Sequence, residues 1–347
     1  MKRIVTLILA LLLIAALALT ACAQDEVRTF TDSLGREVTL PQEITKVAVS
    51  GPTAQIVVFA LAPDKLVGLS SKWDPEAEQF LKTEYYQLPV LGQLYGGKGE
   101  MNLETLLEAA PQVVIDVGEP KGNAAEDLDA LSEQTGIPFV HVTAHTDSMD
   151  AAYEKLGELL CMEEEAAVLA AYCINVYERT VALGSSVDKV RLLYVTGLEG
   201  LSVIAKGSYH SEVIDMLSDN LAVVDSPSSR GTGNEVDMEQ ILEWNPDAVI
   251  FSEDGFYEVV GDDPLWQGVA AIQNNAYYEV PIGPYNWMGF PPSVQRLLGM
   301  MWMGKLLYPD AADYDLYAEV AQYFDLFYHC EITQEQFESL TARSIGR

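Results

Sequence analysis

Two carboxylates at matching places in a repeated motif are the first candidates for chemistry in this chain. Asn102-Leu103-Glu104-Thr105-Leu106-Leu107 leads into Pro111-Gln112-Val113-Val114-Ile115. Asp237-Met238-Glu239-Gln240-Ile241-Leu242 leads into Pro246-Asp247-Ala248-Val249-Ile250. The copies align without a gap, at a constant offset of 135 residues from Glu104 to Glu239. Each reads as a short helix capped by Asn or Asp, a proline stop and an apolar strand. A carboxylate in a helix's first turn is exposed and favoured by the helix dipole. One such group per copy suggests two similar lobes and one partner touching both.

Other reactive residue types are sparse. His141 and His145 are four apart, but Pro138-Phe139-Val140-His141-Val142 reads as a strand, which makes His141 a strand histidine and leaves His145 just past the strand end. No metal ligands are assigned. Cys161, Cys173 and Cys330 show no CxxC or Cys/His spacing and read as packing residues. On one straight helix Cys161 and Cys173 would stand roughly 18 Å apart, too far for a disulfide; a pair closed by tertiary folding stays open. There is no Gly-x-Ser-x-Gly elbow, His-Glu-x-x-His, P-loop or dinucleotide fingerprint. Carboxylates on separate helix starts suit acid–base catalysis poorly.

The elements that must hold these residues alternate between strand and helix. Lys46–Ser50, Leu66–Ser70, Val113–Val117 and Pro138–Val142 read as strands, with helices at Ala54–Leu61 and Leu128–Thr135. Residues 149–160 and 163–183 are helical with no strand between them. Strands resume at Arg191–Thr196, Leu201–Ala205, Leu221–Val224, Ala248–Ser252 and Tyr277–Val280, with a helix at Ser211–Leu217. A strong helix is predicted from Pro292 to Leu307, with Val294, Leu297, Leu298, Met301 and Leu306 near one face, followed by a helical tail over 313–341. Apolar strands separated by helices imply parallel sheet. The predicted fold class is therefore α/β, with two similar, mainly parallel lobes on either side of a helical connector.

Bulk properties fit this. The 347 residues suffice for two domains, and 49% hydrophobic with 21% charged residues is a globular composition. A net charge of −32 excludes nucleic acid as a partner. Met1-Lys2-Arg3, the apolar run Ile4–Leu19 and Leu19-Thr20-Ala21-Cys22 describe a secretory signal whose cleavage site carries a cysteine, as in bacterial lipoproteins. Lipid on Cys22 would hold the chain to the outside of the cell membrane. No other stretch reaches the ~18 apolar residues of a membrane span.

Signal, first α/β lobe, helical connector and second lobe together resemble the substrate-binding proteins of bacterial ABC importers, in the iron-siderophore, haem and cobalamin class. The repeat, Ala54-Gln55-Ile56 with Leu61-Ala62-Pro63-Asp64-Lys65-Leu66-Val67-Gly68, and Pro291-Pro292-Ser293-Val294-Gln295-Arg296-Leu297-Leu298-Gly299 carry the resemblance. It implies two lobes joined by one long helix within 163–185, a ligand cleft between them and only modest closure. Glu104 and Glu239 match the family's two docking glutamates, which meet arginines on the two permease subunits. The expected organisation is a signal at 1–21, a tether and lead-in at 22–45, an N-terminal lobe at 46–148, a connector at 149–186, a C-terminal lobe at 187–312 and a helical tail at 313–347.

In open α/β lobes, ligands sit on loops at the carboxyl ends of strands. That rule nominates Ser50–Thr53, the loops carrying Trp73 and Tyr95, Glu119–Lys121 and Thr143–His145 in the first lobe. In the second it nominates Gly197–Glu199, Tyr209-His210, Ser228-Ser229-Arg230, Glu253–Tyr257 and Tyr285-Asn286-Trp287. Trp73, Tyr95, Tyr209, Tyr257, Tyr285 and Trp287 are expected as aromatic walls for a large chelate. Arg230 and Lys72 would neutralise an anionic cargo, and Tyr209 or His210 could serve as a haem ligand. The leading expectation is a monomeric, non-enzymatic receptor with no cofactor of its own. It would deliver a metal chelate, foremost a ferric siderophore, to a permease dimer and its cytoplasmic ATPase. Haem, cobalamin and an oxyanion such as molybdate are the alternative cargoes, and a secreted enzyme or a surface sensor the alternative classes.

Overall fold

The computed structural model describes residues 27–94, 100–253 and 255–344. The expected signal at 1–21, Cys22 and Tyr95 lie outside the described residues. The lead-in forms an antiparallel hairpin of β1 (Val27–Thr31) and β2 (Glu37–Pro41). β3 (Val47–Val49) then enters α1 (Pro52–Leu61). α2 (Leu103–Ala109), β4 (Val113–Gly118), α3 (Ala124–Thr135) and β5 (Phe139–Thr143) complete a lobe whose sheet runs β3-β4-β5, all parallel.

Two helices connect the lobes: α4 (Met149–Leu160) and α5 (Glu163–Ser186). The 24 residues of α5 span roughly 36 Å, the reach of a whole domain. The second lobe holds β6 (Arg191–Thr196), β7 (Ser202–Val203), α6 (Glu212–Leu217), β8 (Asp219–Asn220), β9 (Asn234–Glu235), α7 (Met238–Trp244), β10 (Ala248–Phe251) and β11 (Tyr277–Glu279). β6 pairs in parallel with β10 and β8, β10 pairs in parallel with β11, and the short β7 and β9 add antiparallel edges. α8 (Arg296–Leu307), α9 (Leu316–Tyr328) and α10 (Gln334–Thr341) close the chain.

Alternating strand residues explain how this is held together. Val47, Val49, Val113 and Ile115 face a core that continues through α1, α4, α5, α8 and α9 to Tyr194 and Ile250 of the second lobe. Their neighbours Ala48 and Val114 face the other side of the sheet and pack with Leu106 and Leu128. Leu193, Val195, Val249 and Phe251 do the same in the second lobe, around Trp266. Successive strand side chains point to opposite faces, so one continuous core and two outer clusters follow from the period-two pattern. A core shared by both lobes resists large relative motion.

The duplicated motif is structural down to its caps. Asn102 Oδ1 accepts the Thr105 amide at 3.1 Å, and Asp237 Oδ1 accepts the Gln240 amide at 2.8 Å. Both helices have seven residues and end in the left-handed region, at Ala110 (φ 48°) and Asn245 (φ 42°). Glu104 and Glu239 are exposed in the two first turns.

Several expectations are corrected. Leu66–Ser70 forms only isolated parallel bridges, Val47 to Leu66 and Leu69 to Val90. Pairing expected at Leu221–Val224 falls earlier, at Asp219–Asn220. α8 starts at Arg296 rather than Pro292, because Ser293, Val294 and Gln295 close tighter turns, their carbonyls accepting the Arg296, Leu297 and Leu298 amides three residues on. α8 is buried from Arg296 to Gly304 on every side, not along one stripe, because it lies against α5, α6 and α9. The helical tail joins the core: α9 packs on α1, and its Phe324 also meets Phe80 edge-on at 5.1 Å. The three described cysteines are free thiols; Cys173 is buried, but Cys161 is exposed where α4 ends at φ 53°.

Candidate functional site

A cavity of about 440 Å³ opens between the lobes. The first lobe contributes Ser50–Ala54 and Asp116, Val117, Gly118, Glu119 and Lys121. The second contributes Tyr209, His210, Ser229 and Pro292. The first-lobe residues are the loops and helix start at the carboxyl ends of β3 and β4, as the fold's topology requires.

The N-terminus of α1 forms one wall. β3 ends at Val49, Gly51 is extended, and Pro52 supplies a first helical residue with no N–H to satisfy. The Gln55 amide bonds the Gly51 carbonyl. The Thr53 and Ala54 amides have no acceptor among the described residues. Such orphan donors carry the positive end of the helix dipole and are suited to an anion. The Thr53 hydroxyl donates to the Pro292 carbonyl at 3.0 Å and joins the lobes at the cavity rim.

Below this wall is a buried polar triad. The Ser50 hydroxyl donates to Asp116, and His141 Nδ1 lies 2.7 Å from the other Asp116 oxygen. His141 is fully buried, as its strand position predicts, and its Nε2 has no partner. At the rim, His145 Nδ1 is 3.3 Å from Glu119. Among the described residues no group of His, Cys, Asp and Glu is arranged to hold a metal ion.

The opposite wall is Tyr209 and His210. The His210 ring stacks on Phe290 at 4.8 Å and 9°. Its Nδ1 is buried without a partner. Burial, with the Arg296 guanidinium second, lowers its pKa from 6.5 to about 4, so the ring is neutral at physiological pH. Burial likewise raises the Tyr209 hydroxyl above the usual tyrosine value.

The structure thus brings the nominated segment Ser50–Thr53, with Glu119, Lys121, Ser229, Tyr209 and His210, into the cavity. Arg230 is exposed on the loop whose neighbour Ser229 lines it. Of the expected aromatic wall, Trp73, Tyr257, Tyr285 and Trp287 are core instead. Trp73 is 4% exposed, donates its indole N–H to the Tyr85 carbonyl at 3.2 Å and packs edge-on against Phe59 at 5.0 Å. Tyr285 is buried, its hydroxyl accepting from Gln55 at 3.2 Å, and Trp287 is wholly buried with its indole bonded to Gly283 at 3.0 Å. Tyr257 packs with Tyr277 in the second lobe's outer cluster. Each lies in a turn-rich segment, but folding turns its ring inward, where large aromatics contribute most. Sequence reasoning missed Asp116. Its signal was a lone charge inside the apolar run Val113-Val114-Ile115-Asp116-Val117.

Residues 47–282 match the sequence model of the periplasmic binding protein family. The chain belongs to that family. An ABC transporter solute-binding protein from Sulfurospirillum deleyianum superposes with a TM-score of 0.81 at 27% identity, covering 91% of this chain and 99% of that one. The molybdate-binding protein MolA of Haemophilus influenzae is 26% identical over 91% of this chain and 94% of its own length. The periplasmic catecholate-siderophore binding protein VctP of Vibrio cholerae shares the fold, with a TM-score of 0.56 at 20% identity over 80% of this chain and 98% of that one. This binding protein is therefore the extracytoplasmic solute receptor of an ABC importer, working with a permease and its ATPase rather than as an enzyme. Among the described residues no helix is long and apolar enough to cross a membrane.

Proposed function

We propose that this binding protein captures a small oxyanion, of the class to which molybdate belongs, in the cavity between its lobes. One observation carries the reading: the unpaired Thr53 and Ala54 amides open the helix that walls one polar cavity, with the neutral His210 side chain on its opposite wall. A neutral imidazole and two backbone amides can each donate to an oxyanion without adding a competing charge. Lys121 on the rim supplies attraction. The MolA relative supports the same class. A compact ferric siderophore is the second reading, favoured by the volume: about 440 Å³ lies within the roughly 300–1,000 Å³ typical of organic-ligand sites. Against it stands the loss of Trp73, Tyr257, Tyr285 and Trp287 to the core, which leaves Tyr209 as the aromatic of the cavity among the described residues.

Thermal melting of the mature protein against molybdate, tungstate, sulfate and a ferric catecholate separates the two. The oxyanion reading expects stabilisation by molybdate or tungstate that saturates with concentration. Stabilisation by the ferric catecholate alone would transfer the assignment to the second reading. In either case Glu104 and Glu239 are the proposed docking pair for the permease, and lipid on Cys22 the proposed anchor. Mass spectrometry of the membrane fraction tests the anchor by the mass of a diacylglyceryl cysteine.

A further inference from the structure

Arg296 has the properties of a structural hub beside the cavity, yet it does not line it. It opens α8 and is only 4% exposed. One guanidinium nitrogen donates to the Thr146 hydroxyl at 2.9 Å and to the Glu212 carboxylate. The other donates to the Tyr209 carbonyl at 2.6 Å. The guanidinium plane also lies 4.8 Å from the centre of the Tyr209 ring. Thr146 itself donates to Glu212. Thr146 follows β5 of the first lobe, whereas Tyr209 and Glu212 belong to the second. A planar fork is therefore spent on three partners from both sides of the cleft, a geometry that an ammonium cannot reproduce.

The surroundings leave this side chain little freedom. A Cβ on Gly289, whose φ is +93°, would lie 2.7 Å from Arg296 Cγ and Nε, so the glycine lets the stem pass. Gly289 precedes Phe290, on which His210 stacks. The same short segment thus seats both the arginine and the imidazole.

We propose that Arg296 is the positioning residue of the cargo site: it ties the Tyr209–His210 wall to Thr146 of the first lobe, and so sets cargo affinity without touching cargo. The proposal rests on the reading that the cavity is the cargo site. Arg296→Met removes fork and charge, Arg296→Lys keeps the charge but loses the fork, and Thr146→Val removes only the tie to the first lobe. Each is made in the full mature chain, with circular dichroism to verify folding. The readouts are calorimetric titration with molybdate and NMR titration of the His210 ring. Groups facing that ring are Tyr209, Arg296 and, across the cavity, Lys121, Glu119 and Asp116.

The expected result is a loss of molybdate affinity of roughly tenfold or more in Arg296→Met, since three charge-assisted bonds are lost. His210 should then titrate higher than about 4, though still below a free histidine because its burial remains. Arg296→Lys should also lose affinity while His210 still titrates low. Native affinity in Arg296→Lys or Thr146→Val would overturn the proposal, and Thr146→Val carries the test if the arginine variants do not fold. Absence of molybdate binding by the unmutated protein would sink the oxyanion reading instead. Positioning would then be judged by the Thr146 and Tyr209 amide resonances, and their failure to move in Arg296→Met would refute it.

Discussion

Lowering the pH should weaken the fold through His210, by an amount the structure allows to be bounded. A free histidine titrates near 6.5 and His210 at about 4. Protonating it in the folded state therefore costs about 3 kcal/mol more than in the unfolded chain. The ring borders a cavity open to water, which screens part of that charge, so about 1–2 kcal/mol should appear as lost stability. The sign follows from proton binding. Because the folded pKa lies below the unfolded one, the unfolded chain takes up the proton first as pH falls. Stability from this group is complete above 6.5, declines down to about 4 and is then level. Asp74 works in the opposite direction. Burial, with Glu76 and Glu253 next, raises its carboxyl to about 6, so its contribution grows as pH falls from about 6 towards 3.8. The difference between the native protein and His210→Gln isolates the histidine. Urea unfolding at half-unit steps from pH 7.5 to 4 should show the two proteins diverging below 6.5. Parallel curves across that range would refute the account of His210 as a buried neutral imidazole.

Four further outcomes are expected. Trp287→Ala should cost about 3–5 kcal/mol of stability, whereas Trp73→Phe should leave cargo affinity unchanged in calorimetry, because neither ring borders the cavity. Gly184→Ala should destabilise by about 1–3 kcal/mol in chemical unfolding, since a Cβ there collides with the Met216 carbonyl where α5 crosses α6. Glu104→Ala combined with Glu239→Ala should abolish uptake in cells while leaving calorimetric affinity intact; lost affinity would place the carboxylates at the cargo site.

The architecture was legible where local signals agreed. The repeat carried its caps, its proline stops and its strands, and all three reappear in space at both copies. The 24 residues of α5 were evident as an unbroken helical pattern between two strand-bearing halves. Less was legible where tertiary packing decided. Trp73, Tyr285 and Trp287 stand in loops that look open in sequence, but nothing local says which way a ring turns. Asp219–Asn220 pairs because β6 is adjacent to it, not because its residues favour strand. The cavity's chemistry was legible only in part. Loop placement found Ser50–Thr53, Glu119–Lys121 and Tyr209-His210. The amides of Thr53 and Ala54 are backbone groups that no residue type announces, and Arg296 sat unnoticed in a segment valued only for family resemblance.

Binding of cargo as an anion at the start of α1 can be read by amide NMR of the uniformly labelled mature protein during molybdate titration. The Thr53 and Ala54 amide protons should move downfield together and saturate at one equivalent, as hydrogen bonds to an anion form. Saturable binding that leaves both amides unmoved, or no binding at all, would contradict it.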